Sequence, residues 1–232
     1  MNKQELFIWF YTARAQESKL FPLYEDYWLS DKYCPKKQVP ILGDWVMYYP
    51  PKDGYPTYDT RFAMPEILYL HTKSKVQPSF DWFPQNYNLK IVSESFLGFM
   101  SSNQLHDRFE ATECKIFGID GKEFVAKKYF VIRICEFDDD KFDFHIENKK
   151  RAIGCNKYNY FLYPDMQLKN HNGKQNIFFL DEFCYQDGII LTADRKDYVM
   201  QNFNLPELYK LEDFRFVWNN QYNVGQLPEM IK

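Results

Sequence analysis

Phe80–Met100, FDWFPQNYNLKIVSESFLGFM, is the stretch that decides the fold class. It holds a short apolar run, Leu89 to Val92, then the polar Ser93, then a segment in which Phe96, Phe99 and Met100 share one helical face. The pattern predicts a strand, a cap and a helix, with the Ser93 hydroxyl accepting from the free N–H groups of the first helical turn. The device returns near residue 190, where Gly188-Ile189-Ile190-Leu191 leads into Thr192 and then ADRKDYVMQ, with Tyr198 and Val199 as the apolar side of a second short helix. Neither copy carries the glycines of a phosphate loop.

Between the two copies the signals are those of strands. Cys114–Ile119 and Lys128–Phe137 flank Asp120-Gly121, a dipeptide suited to a tight turn, and so predict an antiparallel hairpin. KKYFVIRICEF alternates around Arg133, which reads as a strand with one polar face. Tyr158–Tyr163 and Asn176–Leu180 are further strand-like runs, joined through the turn sequence Asn170-His171-Asn172-Gly173. After the second helix, Phe214, Phe216 and Trp218 alternate as in a half-buried strand.

Upstream the character changes. Nine of the twelve prolines lie at or before Pro84, and each removes a donor and restricts its predecessor, so residues 33–84 should hold short elements and extended loops. Asp44–Tyr49 is the best strand candidate there, and Met64–Leu70 is favoured as a short helix begun at Pro65 over a strand. Leu6–Tyr11 fits a buried strand or a core helix equally well. The expectation is an α+β fold: a largely antiparallel mixed sheet flanked by short helices, with a proline-rich N-terminal part at 1–79, an α+β domain at 80–232 and a soft boundary between them.

The composition sets further bounds. A chain of 232 residues can bury a core without staples. Its 19% of aromatic residues, 18 of them Tyr, suit a recognition surface as well as a core. A formal net charge of −3 argues against non-specific binding to nucleic acid or to anionic membrane. The five scattered cysteines contain no C-x-x-C and suggest neither a disulfide framework nor a zinc site. No apolar run reaches the length of a membrane span, and the N-terminal run is too short for a secretory core, so a cytoplasmic protein without a cofactor is expected.

Few residues suggest catalysis. His71, His106, His145 and His171 are isolated, as surface or capping histidines usually are, and no hydrolase elbow or nucleotide loop is present. Asp165, followed later by Asp194 and Lys196, imitates the metal-binding acid and Asp-x-Lys of metal-dependent nucleases, but that Asp-x-Lys should lie on a strand and here it begins a helix. The sharpest charge feature runs from Glu136 to Glu147. Six carboxylates (Glu136, Asp138, Asp139, Asp140, Asp143, Glu147) against Lys141 leave −5 in twelve residues. The segment lacks the central Gly and the spacing of a calcium loop, which leaves a solvated loop or a docking patch for a basic partner.

The order of parts from Phe80 to Phe214 resembles a group of bacterial immunity proteins that protect cells against polymorphic toxins delivered by contact-dependent or type VI secretion. The residues that carry it are Asp81-Trp82, Leu89–Glu94 with the following helix, the strand Tyr129–Ile134, the unit Ile189–Thr192 and the closing Leu211–Phe214; residues 1–79 add nothing to it. The resemblance implies a non-enzymatic inhibitor that binds a toxin domain stoichiometrically. The competing classes are a metal-dependent nuclease or other hydrolase using Asp165, Asp194 and Lys196, and a structural or adaptor domain.

Overall fold

The computed structural model describes residues 4–12, 27–34, 41–85, 88–153, 160–169, 175–222 and 225–231. In chain order these form β1 (Leu6–Trp9), β2 (Tyr27–Ser30), α1 (Pro50–Asp53), β3 (Ile67–Thr72), β4 (Trp82–Pro84), β5 (Leu89–Ser93), α2 (Glu94–Ser102), β6 (Phe109–Phe117) and β7 (Glu123–Ile134). They continue with β8 (Phe142–Asp143), β9 (Lys150–Arg151), β10 (Phe161–Leu162), β11 (Gln167–Leu168), β12 (Ile177–Phe178), β13 (Ile189–Thr192), α3 (Ala193–Asn202), β14 (Leu208–Lys210) and α4 (Phe214–Asn220). The fold is α+β with mixed, mostly antiparallel sheets, as the sequence predicts. The chain divides into a continuous unit, Gln16–Glu136, and a discontinuous one, Met1–Ala15 with Phe137–Lys232.

The continuous unit is built on a six-stranded sheet in the order β2-β3-β6-β7-β5-β4, in which only β3 and β6 run parallel. Strands from both sides of residue 79 therefore share one sheet. β5 is buried along its whole length, flanked by β4 and β7 and followed directly by α2. The N–H of Phe96 donates to Ser93 Oγ at 3.2 Å, a cap of about 1 kcal/mol, and Phe96, Phe99 and Met100 are buried. Ser93 also donates to Asp81 Oδ1 at 2.6 Å, and Lys127 Nζ donates to the same oxygen at 2.6 Å. Tyr129 donates to Pro78 O at 2.7 Å. The approach to β4 is thus fixed to the sheet by buried polar groups.

Three elements here differ from the sequence reading. Asp44–Met47 is a 3-10 turn rather than a strand, because Pro50 and Pro51 begin α1 just beyond it and Asp53 reaches back to accept from the Tyr49 N–H at 2.8 Å. Met64–Leu70 is not a helix: Ile67–Thr72 is a strand inserted between β2 and β6, where Leu68 and Leu70 are fully buried. Arg133 does not sit on a polar face but has no exposed surface. It stands opposite Glu110 in the ladder and donates from Nε to Glu110 at 2.8 Å, from Nη1 to Trp45 O at 2.7 Å and from Nη2 to Phe62 O at 2.9 Å. Its guanidinium lies 4.5 Å from the centre of the Tyr48 ring.

The discontinuous unit holds a four-stranded antiparallel sheet in the order β12-β13-β1-β14. Leu6–Tyr11 supplies its central strand, with Ile8 opposite Ile190 on one side and Tyr209 on the other. A Cβ at Gly188 would lie 2.7 Å from Ile8 Cδ1 and 2.9 Å from Ile8 Cγ1, so a larger residue there would force the fully buried Ile8 side chain to move. Thr192 precedes α3 but does not cap it; its hydroxyl donates to Asn176 Oδ1 at 3.2 Å, because β12 is within reach and holds it there. Val199 is buried and Tyr198 exposed, so only one of the two residues expected on the apolar side faces the core. The aromatic tail is not a strand either. Leu211–Asp213 is a 3-10 turn leading into α4, which buries Phe214 and Val217 at helical spacing and leaves Phe216 exposed. The turn at Asn170–Gly173, residues 154–159 with Cys155, and His171 lie outside the described residues.

His71 is neither a surface nor a capping histidine. It is buried, stacked on Trp28 at 5.2 Å between centroids and close to Phe117 and Tyr33, and this burial pulls its pKa below the usual 6.5. Below pH 6.5 the unfolded chain takes up a proton that the folded chain refuses, so stability falls as pH drops from 6.5 toward the lowered folded value. His71→Phe is expected to remove that slope, read as the wild-type-minus-variant difference in urea midpoint between about pH 7.5 and about pH 5.5. Arg133→Ala leaves Glu110 and two carbonyls without their donor and is expected to cost about 3–5 kcal/mol in chemical denaturation.

Candidate functional site: the acidic segment

The acidic segment runs across the end of the continuous unit into the discontinuous one, and its six carboxylates fall into two groups. Asp138 has no exposed surface. Its N–H donates to Phe179 O at 2.8 Å and its Oδ2 accepts from the Phe179 N–H at 3.0 Å, a two-way bond that extends the pairing beyond β12. Its Oδ1 accepts from Lys141 Nζ at 2.6 Å and Gln175 Nε2 at 3.0 Å. Asp139 accepts from the backbone N–H groups of Asp181 at 2.8 Å and Glu182 at 3.2 Å. Burial nevertheless pushes the Asp139 carboxyl up from its ordinary range. Glu182 is raised as well, by burial first and by the Asp139 charge second.

The second group faces solvent. Asp140, Asp143 and Glu147 are exposed in the discontinuous unit. His145, in the left-handed backbone region at φ +45°, has Asp143 Oδ2 3.8 Å from its Nε2 and Glu147 Oε1 3.4 Å from its Nδ1. Glu136 is exposed at the end of the continuous unit, where Arg108 Nε lies 3.4 Å from its carboxylate. Lys141 is turned toward Asp138, so it does not offset the outward charges directly. Nothing in the run DDDKFDF marks which acids turn inward. The partners of Asp138 and Asp139 lie about forty residues downstream, beyond the reach of any local pattern.

The residues of the nuclease imitation are placed differently. Asp194 and Lys196 lie in the first turns of α3 and not on a strand, which agrees with the helix read from the sequence. Lys196 Nζ is 3.1 Å from Asp197 and 5.4 Å from the centre of the Phe7 ring. Asp165 lies in the turn before β11 and accepts from Asn148 Nδ2 at 2.9 Å. Asp194 is the acidic residue of the first turn of α3, where the positive end of the helix favours it. Among the described residues no group of three or more His, Cys, Asp or Glu side chains is placed to hold a metal ion, and no helix is long and apolar enough to cross a membrane.

The profile of a protein family described as Immunity protein 43 matches residues 13–226. The match takes in the proline-rich part as well as the later strands, so the resemblance that the sequence shows only from residue 80 extends almost to the N-terminus. No curated protein matches the chain.

The two groups of carboxylates should separate on substitution. Asp138→Asn is expected to destabilise the fold by about 2–3 kcal/mol, through loss of the charge that its buried donors and Lys141 face, whereas Asp140→Asn should change stability by less than about 0.5 kcal/mol. Urea denaturation of the two variants checks this.

Proposed function

The chain belongs to the Immunity protein 43 family, and we propose that it neutralises a cognate bacterial toxin by direct, stoichiometric binding in the cytoplasm of the cell that makes it. The family match over residues 13–226 is the observation that carries this. A blocker of this kind needs surface chemistry and not a reactive centre: anchors that fill pockets, and charges that steer the encounter.

The exposed carboxylates Asp140, Asp143 and Glu147 support a role in that encounter, with Glu136 as a further outward charge from the other unit. They belong to the strongest local run of one sign in a chain whose formal net charge is only −3. A toxin that acts on nucleic acid carries the opposite sign on its working surface. Asp138 and Asp139 serve this segment indirectly, since their internal bonds hold the backbone from which the outward acids project. Steering of this kind acts before docking is complete, so it changes the association rate more than the dissociation rate.

Co-expression with a candidate toxin domain taken from a neighbouring gene tests the reading. Protection should accompany a one-to-one complex of the purified pair, and a toxin that is relieved without forming any complex would overturn direct binding. Asp165→Ala, Asp194→Ala and Lys196→Ala should each protect as the wild type does; loss of protection in a folded variant would point to catalysis. Replacing Asp140, Asp143 and Glu147 together by Asn, Asn and Gln should slow association and flatten its salt dependence, with little change in dissociation, as read by stopped-flow at two ionic strengths.

A further inference from the structure

In the discontinuous unit a pocket of about 200 Å³ opens at the end of the sheet where β1 begins and β14 finishes. Its apolar wall is Leu6, Met166 and Leu211, all three buried. The register explains how residues so far apart in the chain meet. Phe7 stands opposite Lys210 in an antiparallel pair, so Leu6 and Leu211 leave the ladder together, one just before that pair and one just after it. Met166 arrives from the turn before β11, where its N–H donates to Tyr163 O at 3.1 Å.

The mouth is polar and its balance is acidic. Glu5 and Glu212 are exposed there, and among the described residues of the lining Lys210 is the only cation. Lys210 Nζ lies 2.9 Å from Glu5 Oε1, so it engages one oxygen of one of the two acids. The bond to Glu5 first, and the charges of Glu212 and Asp213 behind it, hold the Lys210 ammonium above its usual pKa, as a negative field at the mouth requires. An apolar wall under an anionic mouth is complementary to a long basic side chain, whose methylene stem packs on apolar surface while its charged head meets carboxylates. The pocket is smaller than the roughly 300–1,000 Å³ of small-molecule sites, and it suits one inserted side chain.

The pocket also adjoins the acidic segment. Glu147 is followed by Asn148, whose Nδ2 donates to Asp165 Oδ2 at 2.9 Å, and Asp165 is followed by Met166 of the pocket wall. Glu147 and Asp165 are both exposed. Lys149, Lys150 and Arg151 come next in the chain, but Lys149 Nζ is turned to the Phe161 ring at 4.1 Å from its centre, β9 carries the other two into its pairing with β10, and none of the three lines the pocket. We propose that this pocket is the anchor site for the toxin: a long basic side chain of the toxin enters it, packs its stem on Leu6, Met166 and Leu211 and places its charge at Glu5 and Glu212. The proposal rests on the direct-binding reading above. It gives the toxin surface the same sign that the acidic segment calls for and divides the work between neighbours: the outward carboxylates of the segment draw the partner in, and the pocket retains it.

The test measures association and dissociation rates of the full chain with the purified toxin domain against which it protects on co-expression, by surface-based kinetics, together with melting temperatures. Glu5→Gln with Glu212→Gln is expected to raise Kd at least about tenfold, chiefly through faster dissociation. The melting temperature should not change, since the Glu5–Lys210 pair is exposed. This is the reverse of the effect expected at Asp140, Asp143 and Glu147, where association slows and dissociation changes little. Gln4→Arg, which sets a cation of the chain's own at the mouth, should likewise speed dissociation. Asp197→Asn with Glu229→Gln removes the same two charges from exposed positions outside the pocket lining and should leave dissociation within about twofold of the wild type. Should the Glu5 and Glu212 variant melt early, Gln4→Arg carries the test. Dissociation within about twofold of the wild type in both pocket variants, or an equal acceleration in the control pair, overturns the proposal alone. Absence of wild-type binding overturns the direct-binding reading and the proposal with it.

Discussion

The continuous unit depends on where the charge of Arg133 goes. Removing a guanidinium from water costs several kcal/mol unless its donors and its face are all engaged. Here Glu110 takes two of its N–H groups, the carbonyls of Trp45 and Phe62 take others, and the Tyr48 ring covers its face. Trp45 and Phe62 belong to a segment with no strand of its own, in which prolines prevent long regular structure. Hydrophobic contact alone would hold such a segment without fixing its position. Two carbonyls directed at one buried cation do fix it, and through Glu110 the same cation binds β6 to β7.

A second set of polar groups does the same for the other approach to the sheet. Ser93 closes β5, opens α2 and holds Asp81; Lys127 satisfies Asp81 and two carbonyls from the opposite side. In the discontinuous unit Asp138 and Asp139 repeat the principle with carboxylates, accepting from backbone N–H groups some forty residues away. In all three places irregular chain is fixed to a sheet by a buried side chain that offers several bonds at once. Outward of these anchors, Asp140, Asp143 and Glu147 are exposed in one unit and Val125 in the other.

What could be read in the sequence was local. Leu89–Val92 followed by Ser93 and the spacing of Phe96, Phe99 and Met100 specify β5 and α2 without help from elsewhere, and Asp120-Gly121 specifies the hairpin. Met64–Leu70 misled because Pro65 suits a helix start, and only β2 and β6 on either side make the run a strand. Phe214, Phe216 and Trp218 alternate by chance, while the pair that decides is Phe214 and Val217. Arg133 looked like a polar-face residue because its partners, Glu110, Trp45 and Phe62, are distant in the chain. The acidic run was visible as charge, but its division into anchors and outward groups depends on Phe179, Asp181 and Glu182. The family resemblance was legible from the later strands, yet the match extends through the proline-rich part, where short irregular pieces leave little periodic signal.

The place of β1 governs when the protein becomes whole. This strand pairs on one side with β13 and on the other with β14, which follow it by roughly 180 to 200 residues of chain. At roughly 5–20 residues per second, about 10–40 s separate the emergence of β1 from that of its last partner. During that interval Leu6, Phe7, Ile8 and Trp9, all buried in the finished sheet, have no ladder to join. The continuous unit, complete once Glu136 is out, faces no such wait. A chain that stops short of β13 and β14 would leave the apolar residues of β1 without the ladder that buries them in the finished sheet.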